Sequence, residues 1–435
     1  MKSALLTMFL LLSSASLASE LQQCPTFDSG ISLETQKEIL STRHHLCDVI
    51  IKDIHDKILV LDAHADIVIP GASSQYLSAD GKSKVAINKL KAGGIDAVVM
   101  SIAVPPGASR SLADDMKGQD FANQKFIAID ELLKTHAETL ILARSAQQIV
   151  SAQSNNKIAF IVGFQNARSL VNNIDTLDDY YAKGVRVFGL NHIGHNNFSD
   201  SSRPNYDGAA GVYEPAEEHG GLSELGRKAV KRINQLGGII DVSQSSKAAV
   251  MEIAELSATP IIASHSNVRV LSNVTRNLSD EEIDIIGAKG GIVHLVPFGA
   301  YLVDLSDPTL RASIKMVREN AGLPGSGYAY PYELYWEIDD AAEKMKFLMA
   351  MRAVIGSGSV ERLVDHIDYV VKRIGIDHVG IGTDFNHGGG IEGFNEADEA
   401  LNLTKALVAR GYSQKDIEKI WGGNFLRVFR RVEQS

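Results

Sequence analysis

Cysteine is scarce, two residues in 435, and they form no C-x-x-C pair, so a zinc-knuckle framework is excluded. Basic charge is also short. Forty-three Lys and Arg against 53 Asp and Glu leave a formal charge of −10, which argues against a nucleic-acid binder needing a cationic face. A mean hydropathy of −0.03 excludes a polytopic membrane protein. Eleven prolines and 37 glycines exclude collagen-like and mainly disordered chains. No repeat, charge block or low-complexity linker interrupts residues 58–431.

What remains is an ordinary globular balance, 45% hydrophobic and 22% charged, able to bury a sizeable core. Length alone allows two or three domains, but a single α/β barrel with insertions also reaches it. The N-terminus carries Lys2, an apolar run over residues 4–12 and small residues up to Ala18, the pattern of a secretory signal peptide over 1–18. The run is too short to span about 30 Å of hydrocarbon, so no stable membrane anchor is expected. The glutamines before Cys24 are too large for a lipoprotein box. A periplasmic or secreted location follows, and in that setting Cys24 and Cys47 are expected to form one disulfide pinning an arm over 19–57. Such a loop stabilises by roughly 3 kcal/mol in the chain-entropy model.

Eight short apolar runs, at 58–61, 97–101, 158–162, 185–190, 238–242, 260–264, 291–296 and 378–383, read as buried parallel strands. Amphipathic segments of helical period lie between them at 121–133, 222–236, 247–256, 280–288 and 359–374. Strand–helix alternation repeated eight times predicts a (β/α)8 TIM barrel over 58–435, with an open doubly wound sheet as the other candidate. Residues 300–355 form a longer excursion between strands seven and eight, holding Tyr328, Tyr330, Tyr332, Tyr335 and Trp336. Either a lid over the active face or a helical satellite on the barrel wall accounts for it.

Barrel chemistry sits at the C-terminal strand ends. The first run leads into Asp62-Ala63-His64-Ala65-Asp66, where His64 and Asp66 share one side of a strand. Later ends carry Gln165-Asn166, Asn191-His192, Ser243-Gln244, Ser264-His265-Ser266-Asn267 and Thr383-Asp384-Phe385-Asn386. A packed barrel has no structural need for so many converging histidines and carboxylates, so they read as one site.

These motifs, with Thr275-Arg276-Asn277 and Gly422-Gly423-Asn424-Phe425, resemble the renal or membrane dipeptidase family of metallopeptidases in the amidohydrolase group. The resemblance implies a pair of zinc ions bridged by a carboxylate, and cleavage of dipeptides. It implies that His64, Asp66 and Asp384 hold one ion and His265 the other. It further implies that His192 stabilises the oxyanion, Asp384 passes a proton to the leaving amine, and Arg276 with Asn277 binds the substrate carboxylate. Two positions depart from the family. Gln165 stands where the bridging glutamate is expected and Gln244 where a histidine is expected. A neutral amide oxygen is a poor zinc ligand, so one zinc-class ion is expected rather than two. His195, His294 and His387 are nearby pocket histidines that could substitute.

Two functions stay open on the sequence. One is a metal-dependent dipeptidase-like hydrolase acting on a dipeptide or a small peptide-derived metabolite. The other is a degenerate barrel that binds or helps mature a peptide metabolite of the siderophore type without cutting it. Assembly as a homodimer is also left open.

Overall fold

The computed structural model describes residues 47–72, 76–107, 109–207, 212–326, 338 and 340–435. Residues 1–18, Cys24 and the five aromatics of 328–336 lie outside them, so the signal segment, the disulfide and the aromatic loop are not described.

Eight strands form the wall: β1 (Leu61–Asp66), β2 (Ala97–Ala103), β3 (Ile158–Gln165), β4 (Val185–Gly189), β5 (Ile239–Asp241), β6 (Ile261–Ala263), β7 (Ile292–Leu295) and β8 (Val379–Ile381). Each pairs in parallel with the next in chain order. A doubly wound sheet would reverse its order midway. Instead β1 returns to the segment after β8 through a parallel Ala65–Phe385 bridge, and the ring is nearly closed. Asp62 stitches this seam. Its Oδ1 accepts from the Thr383 amide (2.8 Å) and its Oδ2 from the Thr383 hydroxyl (2.6 Å). The Asp384 amide then donates to the His64 carbonyl at 2.7 Å.

Alternation along the strands divides the core. Ala97, Val99, Ala159 and Ile161 face the barrel interior, while Val98, Met100, Phe160 and Val162 pack under the surrounding helices. The helix Asn424–Glu433 closes the floor, with Phe425, Val428, Phe429 and Val432 joining the interior cluster. The upper end is left for polar side chains.

The first strand begins three residues later than its apolar run predicts. It is built from the polar motif itself, because register and seam hydrogen bonds, not hydrophobicity, hold it. The β1–β2 register shifts between Asp62 and Ala65. This bulge changes which side of the strand each residue takes: Ala63 packs inside, Ala65 outside, and His64 is turned toward the mouth. A further strand, Leu140–Leu142, pairs with β3 outside the ring.

The helices at 247–256 and 280–288 form as predicted. The first amphipathic segment belongs to a longer helix, α1 (Leu112–Thr135), started by Ser111, whose side chain accepts from the Asp114 amide. In the β7–β8 excursion, α2 (Pro308–Asn320) and α3 (Ala341–Ile355) share a small core of Ile314, Phe347 and Met351. This favours the satellite reading, although the satellite's inner edge walls the cavity described below.

Below the barrel, the Asp96 carboxylate accepts from the Val60 amide (2.9 Å) and from Gln153 (3.2 Å). Burial pushes this carboxyl from 3.8 up to about 6. The folded state therefore holds the Asp96 proton more tightly than the unfolded chain does. Its stabilising effect is complete below about pH 3.8 and is lost as pH rises to about 6. Asp96→Asn keeps an acceptor and has no charge to bury, so thermal unfolding between pH 4 and 7 should show wild type losing ground to the variant. A gap independent of pH would contradict this.

Candidate active site

The upper end of the barrel is organised around the Ser264 hydroxyl, just beyond β6. Ser264 Oγ donates to Asp241 Oδ2 at 2.6 Å and lies 3.1 Å from His64 Nδ1 and 2.7 Å from His265 Nδ1. A hydroxyl has one proton and two lone pairs. With the proton committed to Asp241, both lone pairs accept, and each imidazole must carry its hydrogen on Nδ1. Both Nε2 atoms then present lone pairs. The two rings stack with centroids 3.7 Å apart and planes at 24°, which sets these lone pairs side by side.

Asp241 ends β5 and is nearly saturated. Its Oδ1 accepts from the amides of Ser243 (3.0 Å) and Ser264 (2.9 Å) and from the Ser243 hydroxyl (2.6 Å). His64, Asp241 and His265 bring one potential ligand atom each within 4.8 Å of one another. With this many donors on it, Asp241 orients the imidazoles rather than offering itself as a ligand.

Asp384 Oδ1 lies 3.9 Å from His64 Nε2. Its backbone has φ 53°, a left-handed conformation costing about 1–3 kcal/mol for a residue with a side chain. Amides of His387 (3.1 Å) and Gly389 (2.9 Å) bind its carbonyl and hold it there. A Cβ on Gly389 would lie 1.9 Å from the Thr383 carbonyl, so only glycine permits this return of the chain. Burial raises the Asp384 carboxyl well above the usual carboxylate range. Burial likewise lowers His64 to about 3 and takes His265 well below its ordinary value, keeping both rings neutral.

Gln165 and Gln244 converge on the same atom: each amide nitrogen is 3.4 Å from His265 Nε2. Their carbonyl oxygens, and His64 Nε2, are buried without hydrogen-bond partners. Three orphaned acceptors in one place call for a cation or a donor from outside the chain. Two neutral imidazoles and a carboxylate suit one zinc-class ion with an open position. The side chains that reach His265 Nε2 from the neighbouring strands are uncharged amides. Asp66, expected beside His64 as a ligand, instead places both carboxylate oxygens 2.7 Å from the ammonium of Lys125 on α1.

The site opens into a cavity of about 440 Å³ that His192, Asp384 and His387 line together with Lys84, Arg203, Tyr301 and Arg352. His192 Nδ1 donates to the Val104 carbonyl (3.0 Å), which leaves Nε2 as the ring's acceptor, and burial holds the ring neutral. Arg276 and Asn277 are not on this wall. The Arg276 guanidinium donates to the carbonyls of Ser243 and His265 and to the Ser266 hydroxyl, under Tyr301. The Asn277 amide donates to the carbonyls of Ser272 and Tyr301, both 2.8 Å. His195 is held by the Ser201 amide and the Pro215 carbonyl, and His294 by the Ala263 carbonyl.

Sequence reasoning missed Asp241 and Lys125. The first had a visible signal, since Asp241-x-Ser243 repeats the spacing of Asp62-x-His64 at a strand end. The second is a lysine at helical spacing with the buried Ala122, Phe126 and Ile129.

Ser264→Ala removes the acceptor of both Nδ1 hydrogens and one donor to Asp241, which should cost about 1–3 kcal/mol of stability. Imidazole ¹⁵N shifts should place the proton of His64 and His265 on Nδ1 in wild type and shift it toward Nε2 in the variant. Unchanged tautomers in the variant would show that Ser264 does not set them.

Residues 50–435 match the family model "Membrane dipeptidase (Peptidase family M19)". Among curated proteins, the chain is 26% identical over 356 residues to Dipeptidase tcpJ of Claviceps purpurea, covering 80% of this chain and 69% of that one. It is 23% identical to human Dipeptidase 3, covering 81% and 59%. Among solved structures, the probable dipeptidase PvdM from Pseudomonas aeruginosa superposes with a TM-score of 0.78 at 31% identity, over 90% of this chain and 99% of that one. A Rhodobacter sphaeroides metallo peptidase, liganded with a phosphinate mimic of L-Ala-D-Ala, shares the fold at a TM-score of 0.66 and 20% identity, over 86% and 99%. With a family match running from the helix before β1 to the last residue, the chain belongs to the membrane dipeptidase family, peptidase family M19.

Proposed function

We propose that this protein hydrolyses the amide bond of a small peptide at the mouth of its barrel, assisted by a single zinc-class ion. As an M19 member it is a dipeptidase-like hydrolase of a metal-dependent family. The observation that carries the finer reading is the unpartnered Nε2 of His64, with the His265 ring stacked on it and Asp384 3.9 Å away. Those three residues would hold the ion. Bound there, it supplies a Lewis acid for the scissile carbonyl and lowers the pKa of water.

The chain's own groups do the proton work. Asp384, beside His64 on the cavity wall, is the group placed to pass a proton to the departing amine. His192 is neutral with Nδ1 donating to Val104, so its Nε2 lone pair accepts a hydrogen bond from the substrate. Substrate carboxylate meets the cations on the cavity wall, Arg203 and Arg352, because the Arg276 fork is already spent on backbone carbonyls and the Lys84 ammonium on the Gly389 carbonyl and Asn395. Gln165 and Gln244 favour a second reading, a barrel that binds a peptide and leaves it intact.

A dipeptide panel assayed with added zinc, manganese or cobalt separates the two. Asp384→Asn should abolish turnover, and His192→Ala, which removes one substrate hydrogen bond, should lower kcat by about tenfold or more. Arg352→Ala should raise KM about tenfold with little change in kcat, whereas Arg276→Ala should act mainly on stability. Calorimetric binding of a dipeptide that survives unchanged with every ion would establish the binding-protein reading instead.

A further inference from the structure

Lys125 lies on the buried face of α1, 3% exposed, and its ammonium lies 2.7 Å from both oxygens of Asp66. The Phe121 ring, 5.3 Å from Nζ, covers another side. Sealing an ammonium in a protein interior costs several kcal/mol unless a counter-charge meets it. Asp66 is that counter-charge, and only 4% of the lysine side chain and 11% of the aspartate's stays accessible.

Asp66 belongs to the Asp62–Asp66 motif whose resemblance implies a metal ligand, yet its two oxygens already serve a cation fixed to the chain. The other departures point the same way. Gln165 and Gln244 remove one negative charge and one strong nitrogen donor from the second position, so the centre lacks the anions that hold two divalent ions close together.

We infer that Lys125 is an internal cation that replaces one of the two metal ions at Asp66, leaving a centre built for a single ion. The inference rests on the one-ion reading above and explains the substitutions together. A fixed ammonium supplies one positive charge where an ion would supply two, and the loss of the bridging carboxylate keeps the site near balance. Lys125 is a positioning residue: it engages both carboxylate oxygens of Asp66 and touches no substrate.

Zinc titration followed by calorimetry and thermal unfolding tests this with the full chain. Wild type should take at most one equivalent, with a modest rise in melting temperature. Lys125→Met leaves Asp66 buried and unpaired, so the zinc-free variant should melt lower, recover more on adding zinc than wild type does, and bind zinc about tenfold more tightly. Lys125→Met with Asp66→Asn restores a neutral pair and should lose that gain. Should Lys125→Met fail to fold, Gln165→Glu with Gln244→His decides the matter: one equivalent supports the inference and two equivalents, with Lys125 intact, overturn it. Identical zinc affinity and stoichiometry in wild type and Lys125→Met also overturn it. Failure of the catalytic reading would look different. No dipeptide would be cut by wild type, while the zinc gain in Lys125→Met would persist.

Discussion

The single proton of the Ser264 hydroxyl governs the upper end of this barrel. Because it is given to Asp241, both lone pairs of the oxygen are free to take Nδ1 hydrogens from His64 and His265. One side chain thus ties β5, β6 and β1 together and aligns two imidazoles without any charge. Asp62 plays the matching part across the seam, holding Thr383 and so placing Asp384 next to His64. Both aspartates are buried and satisfied by several donors each, which is the condition for keeping a carboxylate under an active site.

The chemistry that results is low in charge. The imidazoles are neutral, two amides reach the Nε2 of His265, and one aspartate is bound to a lysine. Asp384 then faces the cavity as a carboxyl displaced toward its protonated form, beside a neutral His192 whose acceptor is Nε2.

Much of this was legible from residue order. Eight apolar runs mark the strands, since buried parallel strands need apolar side chains on both faces; the first is displaced because β1 is made of the site's own polar residues. The strand-end motifs name His64, His265, His192 and Asp384, which do meet around one cavity or its floor. Harder to read were residues whose partners lie far along the chain. Nothing near Lys125 announces Asp66, and nothing near Asp241 announces two histidines. Arg276 was legible as important but not as a brace: its three neighbours are two carbonyls and a hydroxyl brought up by β5 and β6. Backbone acceptors have no sequence signature.

The central claim is that one cation, aligned by Ser264 and bounded by Lys125, is all this centre is built to hold. Anomalous diffraction at the zinc edge, from crystals grown with excess zinc, tests it most directly. The account predicts one peak within bonding reach of His64, His265 and Asp384, with the Lys125 ammonium still on Asp66. Two peaks about 3.5–4 Å apart, with Asp66 turned from Lys125 onto a metal, would contradict it.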